Sequence, residues 1–378
     1  MTSDAQFDVV IVGLGAMGSA AAFHLASRGA RVLGVDRFAP PHTLGSTHGD
    51  TRIIREAYYE HPLYVPLVRR AYELWFELEK KSGRTLYTKT GGLNAGPEHS
   101  VLVQGALRTV REHGVAHEVL DAKQLEQRFP AYKPKPDWIA VFEQRAGCLA
   151  PEACVESHLL LAVRAGATLK RDEPVEDWIA DGTGVTLRTA KGSYRADRII
   201  LAAGAWLPQM MNGLKLPLVV ERQISHWFTP TAPDDRCSAS RCPVAIWEVS
   251  PGHLFFDLPD VGRGVKCGVH HDGGVTTPQT VSRVVTDAEN AAARAALAGV
   301  MPSAAGALRD ARVCLYTNTP DSHFIIDWHP RSPRVLIASP CSGHGFKFAS
   351  AIGEILADLT TTGHSDFDLS PFSISRFG

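Results

Sequence analysis

The sequence predicts an α/β protein: a doubly wound, Rossmann-like nucleotide-binding domain in several segments, with an inserted, mainly antiparallel sheet domain. Three observations carry that expectation. First, the apolar β-branched run Phe7–Val12 leads directly into Gly13-Leu14-Gly15-Ala16-Met17-Gly18, an Ala-rich helix, and a second apolar strand ending at Asp36. Second, from about residue 217 to 315 the pattern changes to short alternating strands with turns. Third, residues 335–359 return to strand, Gly-rich turn and helix.

Length and composition bound the rest. At about 100–200 residues per domain, 378 residues suggest two domains with ample core volume. Apolar residues make up 44% and charged residues 21%, which excludes disorder as the main state. Lys and Arg number 39 against 40 Asp and Glu, so the basic excess of a nucleic-acid binder is absent. Seven Cys contain no CxxC pair and read as thiols of a reducing compartment. Sixteen His show no HExxH and no zinc-finger spacing, so no metal is expected. The one membrane-like stretch, 9–25, lacks a basic region before it and is interrupted by Gly. The expectation is a cytoplasmic protein without a membrane partner.

The elements follow in order. A helix over 19–27 is closed by Gly29, and a strand covers 30–35. The Pro-, His- and Gly-rich stretch at 40–60 reads as too polar and irregular for core. Amphipathic helices are expected over 63–81 and 102–113. Pro130, Pro134 and Pro136 suggest a crossing between domains. A helix over 151–165 and a strand over 198–202 return to the first domain. Strands over 222–228, 244–249 and Val265–His270 belong to the inserted sheet. A strand at 335–339, a turn at 341–346 and a helix at 347–359 close the chain. The nucleotide domain is thus expected from 1–84, 148–216 and 316–378, and the substrate domain from 85–147 and 217–315.

In the glycine turn, Gly13 permits the tight bend, Gly15 lets the backbone approach a pyrophosphate, and Gly18 allows close helix–strand packing. The N–H groups and dipole of the helix start favour a diphosphate, and Asp36 suits a ribose hydroxyl. The fingerprint alone does not separate NAD from FAD. Lys266, in Val265-Lys266-Cys267-Gly268-Val269, shares a strand face with Gly268 and His270 by alternation. Taken alone it reads as an outward-facing lysine, and Arg52 as a loop arginine.

Three blocks carry a resemblance: the fingerprint, PPHTLGSTHGDTRIIR (40–55), and the segment from CLYTNTPDSHFIID to SGHGFKFASAIGE (314–354). Through them the chain resembles the monomeric sarcosine oxidase and N-methyltryptophan oxidase family, within the D-amino acid oxidase superfamily of flavoenzymes. The resemblance implies FAD, bound by Gly13, Gly15, Gly18, Asp36, Arg37, Thr51, Arg52, Gly343, Gly345, Phe346 and Lys347. It also implies covalent attachment at Cys314, in Cys314-Leu315-Tyr316-Thr317. Arg52 and Lys347 are implied to grip a substrate carboxylate, with Arg55 structural. Lys266 is implied over the flavin as the oxygen-activating cation, with His270 beside the substrate and Tyr316 in the same site.

The implied reaction oxidises an N-methyl amino acid with oxygen, giving the demethylated amino acid, formaldehyde and hydrogen peroxide, in a monomer. Alternatives are a flavin oxidase or dehydrogenase of another amine, a cyclic imino acid or a larger N-methylated compound, or an NAD-binding dehydrogenase. One departure stands out. Where the family carries a Tyr-Tyr-Gly-Phe-Pro turn lining the pocket, this chain has Phe255-Phe256-Asp257-Leu258-Pro259, a less polar wall to which Trp247 is a candidate contributor.

Overall fold

A computed structural model describes residues 6–231 and 234–378. Among these, the strands form two eight-stranded sheets and one three-stranded sheet.

In the first large sheet Phe7–Val12 lies between Val32–Val35 and Gly192–Leu201, parallel to both. Val9, Val10, Ile11 and Val12 are buried, which is why the run is apolar without alternation. Thr168–Lys170 extends the sheet beyond Val32–Val35, and Ser332–Ser339 runs parallel to the end of Gly192–Leu201. Strand ends from distant segments therefore converge where helix Ala16–Ser27 begins. The C-terminal helix Ala349–Thr361 crosses that helix closely: a Cβ on Gly353 would lie 2.4 Å from that of Ala20.

The second sheet runs in the order Leu308–Asn318, Val219–Phe228, Val265–His270, His253–Leu258, Val244–Ser250, Gly92–Pro97, Trp138–Glu143, Glu118–Asp121. All its pairings are antiparallel except that of Val244–Ser250 with Gly92–Pro97. Its register sorts the side chains. Gln223 pairs with Cys314, Glu221 with Tyr316, Trp227 with Lys266, Gly268 with Phe256, and Phe256 with Ile246. Partners directly opposite share a face, so Cys314, Tyr316, Lys266, His270, Phe256 and Ile246 all look the same way. The opposite parity puts Trp247, Phe255 and Cys267 into an aromatic core with Tyr132, Trp138 and Leu297.

Several expectations change. Phe255 and Trp247 do not line the pocket; of the two phenylalanines, Phe256 does. Helix Asp287–Val300 interrupts the region read as strands, opened by a capping box between Thr286 and Glu289. Residues 40–60 are not excluded from the core: His48, Thr51, Ile54, Arg55 and Tyr58 are buried, and Arg52–Ile54 is a short strand paired with Gly147–Leu149. The Pro130–Pro136 stretch joins two parts of the second sheet rather than crossing between domains. Finally, Leu308–Asn318 runs unbroken through 315–316, where a segment boundary was expected.

Candidate active site

One long cleft between the two large sheets is lined by residues from both. At one end is the glycine turn. Gly13 has φ +92°, and a Cβ there would meet the Ala202 carbonyl oxygen at 2.5 Å. A Cβ on Gly18 would fall 1.8 Å from the Gly13 oxygen, so only glycine lets the helix approach the strand. A Cβ on Gly15 would meet only Thr47 Oγ1, at 3.8 Å, so its backbone faces open cleft. Asp36 is buried; its Oδ2 accepts from the Leu14 N–H at 2.6 Å and its Oδ1 from the Phe38 N–H at 2.8 Å. Desolvation raises its pKa, and those two N–H groups oppose the rise. A carboxylate oxygen has a second lone pair for a ribose hydroxyl. Arg37 lines the cleft beside it. This cradle fits the dinucleotide of FAD.

Further along are Thr51, Arg52, Cys314 and Lys266. Lys266 is buried, not outward-facing: its Nζ donates to the carbonyls of Gly49 (2.8 Å) and Thr51 (2.9 Å). Those carbonyls belong to a bend in which Glu152 Oε1 accepts from the N–H groups of Gly49 (2.6 Å) and Asp50 (3.2 Å). The Arg52 guanidinium donates to the carbonyls of Thr51 and Ser46, both at 2.9 Å. Burial, then Arg52, hold the Lys266 pKa well below that of an ordinary lysine. Burial pushes the Cys314 thiol up, while Arg52 and Lys266 pull it back. Ser46 Oγ donates to the Leu315 carbonyl at 2.5 Å, fixing the strand next to Cys314. His48, which sequence reasoning passed over, is buried with neither ring nitrogen partnered, and burial and Arg52 push its pKa down to about 3.

The far end holds His270, Tyr316, Gly343, His344, Gly345, Phe346 and Lys347. His270 Nδ1 is 3.2 Å from Tyr316 Oη. A Cβ on Gly343 (φ +76°) would strike both rings, at 2.6 and 2.8 Å. Lys347 lies in the tight turn Phe346–Phe348, just before the last helix rather than inside it, and donates to the His344 carbonyl at 2.6 Å. Its neighbouring cation is Arg55, not Arg52: after burial, Arg55 is what presses Lys347 down to about 7. Arg55 is buried against Glu60, its Nη2 donating to both carboxylate oxygens at 2.9 and 2.8 Å. Arg55 thus stands beside Lys347, where the resemblance implied Arg52. Arg52, donating to loop carbonyls, lies beside Lys266. Glu60 was not foreseen; it follows Arg55 by five residues in a motif whose fold only the structure reveals.

Among the described residues, no cluster of three His, Cys, Asp or Glu is arranged to hold a metal, and no helix is long and apolar enough to cross a membrane.

Comparison with known proteins identifies the family. Residues 8–359 match the family model described as FAD dependent oxidoreductase. A monomeric sarcosine oxidase from Streptomyces avermitilis is 41% identical over 374 residues, 98% of this chain and 97% of the relative. An N-methyl-L-tryptophan oxidase from Salmonella heidelberg is 36% identical over 98% of this chain and 99% of its own. Among solved structures, NikD, an amino acid oxidase of nikkomycin biosynthesis, superposes with TM-score 0.85 at 24% identity over 97% of both chains. An L-proline dehydrogenase from P. horikoshii gives 0.86 at 20% identity over 98% of both. At such identity the two structures speak to the fold alone.

Proposed function

The chain belongs to the FAD-dependent oxidoreductase family, and from that premise we propose that it oxidises N-methyl amino acids with oxygen. The products are the demethylated amino acid, formaldehyde and hydrogen peroxide. The observation that carries this reading is the buried pair Arg55 and Lys347, facing the same end of the cleft as His270 and Tyr316. FAD, in the cradle from Gly13 to Asp36, supplies the hydride acceptor and the route to oxygen.

The chain's own residues do the rest. Arg55, its terminal nitrogens held by Glu60 and the Ala57 carbonyl, offers its unpartnered Nε and its charge to a carboxylate, Lys347 adds a point charge, and charge-assisted bonds of this kind are the strong ones. The same cations disfavour an ammonium nearby, so the bound amine is held neutral. His270 stays neutral, its pKa pushed well below the usual value by burial and neighbouring charges. It orients substrate through Tyr316 and does not store a proton. Phe256, Ile246 and Leu258 form an apolar wall, which favours an N-methyl amino acid bulkier than sarcosine. The reading includes attachment of the flavin at Cys314, so that the FAD-holding segments 1–84, 148–216 and 316–378 are joined by the strand Leu308–Asn318 of the second sheet, and a monomer in the cytoplasm. The seven cysteines are all free.

The test is anaerobic titration of purified yellow protein with sarcosine, larger N-methyl amino acids, cyclic imino acids and the matching amines lacking a carboxylate. Bleaching by N-methyl amino acids, with formaldehyde and peroxide formed in air, is expected. Equal bleaching by the carboxylate-free amines, or none at all, would overturn the reading. Acid-precipitated protein should stay yellow, and Cys314→Ser should release its flavin to the supernatant.

A further inference from the structure

Tyr58 is wholly buried and touches both clamp cations. The Arg55 guanidinium carbon is 4.6 Å from its ring centroid and Lys347 Nζ is 5.1 Å away. Its hydroxyl lies 2.5 Å from His344 Nδ1 and 3.5 Å from Lys347 Nζ.

The directions of these bonds are fixed by one atom. His344 Nε2 is 3.0 Å from the Ser322 carbonyl oxygen, which only accepts, so Nε2 carries the proton. Nδ1 of the neutral ring is then an acceptor, and the Tyr58 hydroxyl donates to it. With its one proton committed, the Tyr58 oxygen can only accept, and the donor facing it is Lys347. One Lys347 proton goes to the His344 carbonyl, one toward Tyr58, and the third is left for the cleft. We propose that Tyr58 and His344 are positioning residues that hold Lys347 as an oriented ammonium, ready for a substrate carboxylate. This rests on the carboxylate-clamp reading above.

The groups around Lys347 make the idea measurable. Tyr58, Arg55 and Glu60 approach from one segment, His344 from its own turn, and His270 from the second sheet. Burial raises Tyr58; burial also lowers Arg55, but Glu60 and the neighbouring tyrosines outweigh it and raise Arg55. Burial raises Glu60, but Arg55 and the other nearby cations outweigh it and lower Glu60; burial holds His344 near 4, and His270 lies well below 6.5. Of this set only Lys347 titrates between pH 6 and 10.

The experiment measures binding of acetate to the holoenzyme from pH 6 to 10, by perturbation of the visible flavin spectrum. Acetate is ionised throughout that range, so an alkaline fall in affinity reports Lys347 losing its proton. Tyr58→Phe keeps the ring and removes the acceptor, so the midpoint of that fall should drop by about one pH unit, with affinity at pH 6 within about threefold of the parent. His344→Ala should move the midpoint the same way but less, and the double variant no further than Tyr58→Phe alone. Unchanged midpoints in both single variants, or affinity lost equally at every pH, would overturn the positioning role. Acetate binding that Lys347→Met leaves intact would instead overturn the clamp itself.

Discussion

Lys266 and Lys347 are both buried in the same cleft and both are pressed toward neutrality, yet they are held in different ways. Lys266 spends two protons on backbone carbonyls of a bend that Glu152 pins from behind. Lys347 leans on a turn carbonyl and a tyrosine hydroxyl, beside an Arg55 already bound to Glu60. A carboxylate entering there can compete with Glu60 for the guanidinium. The contrast teaches that burial alone does not define a catalytic lysine; its partners decide whether it acts as a fixed charge or as part of a receptor.

The largest expected effect separates the two. A cation about 4 Å from charge developing on oxygen, at an effective dielectric near 20, lowers that step by on the order of 4 kcal/mol. Lys266→Met should therefore slow reoxidation in air by roughly three decades, while anaerobic bleaching by substrate persists. Lys347→Met should do the reverse, and stopped-flow traces of the two half-reactions would show it. Reoxidation slowed equally in both variants would erase the distinction.

Next in size is the exchange of partners between the two arginines. Arg55→Met, combined with Glu60→Gln so that no buried charge is stranded, should weaken N-methyl amino acids by about one to two decades relative to the matching carboxylate-free amines. Arg52→Met should penalise acid and amine alike. Ratios of kcat/KM for the two substrate types decide this.

A smaller effect follows from Lys347 lying near 7. A pKa lowered on folding means that the unfolded chain binds the extra proton between about pH 7 and 10.5, so this residue costs stability below that window and the cost fades as pH rises through it. A bound carboxylate restores the proton. Acetate binding at pH 8.5 should take up about one proton and at pH 6 close to none, readable by calorimetry in buffers of different ionisation heat.

The smallest effect concerns a control. Asp257 is as buried as either lysine but looks out of the opposite face of the sheet, and burial pushes its pKa up to about 7. Tyr132 Oη faces both the Pro243 carbonyl (2.8 Å) and Asp257 Oδ1 (2.7 Å), while the Trp247 indole donates to Oδ2 at 2.6 Å. A neutral acid satisfies that set, donating to Tyr132 as the tyrosine donates to Pro243. The variant Asp257→Asn can mimic it, with the amide nitrogen turned toward Tyr132. The raised pKa costs stability progressively from about pH 4 to 7, so thermal melts should show the variant gaining more at pH 8 than at pH 5, by on the order of 2 kcal/mol. Both lysine readouts should stay unchanged.

Much of this was legible in the sequence, and the gaps have physical causes. The glycine turn was readable because its constraints are local, and Val265–His270 because alternation alone puts Lys266 and His270 on one face. The helix Asp287–Val300 left a signal in Thr286-x-x-Glu289 that a search for strands passed over. The parity of Phe255 against Phe256 needed the register with Gly268, whose missing side chain makes room for the Phe256 ring: a Cβ there would lie 2.8 Å from its Cζ. Arg52 and Arg55 share one motif three residues apart, and only the end of the short strand Arg52–Ile54 sends them to different neighbours.

The crossing of the last helix over the first has a further consequence, for the order in which the molecule can be made. Phe7–Val12 is made before its parallel neighbour Gly192–Leu201, some 190 residues on, and Gly353, which meets Ala20, follows that strand by about 150 residues more. Such distant pairings form slowly. The first strand is apolar and in need of protection until those partners arrive and Gly353 packs on Ala20 of the helix that the glycine turn opens. Cofactor capture is thereby tied to synthesis of Ala349–Thr361, and chains truncated before that helix should be unable to retain the dinucleotide.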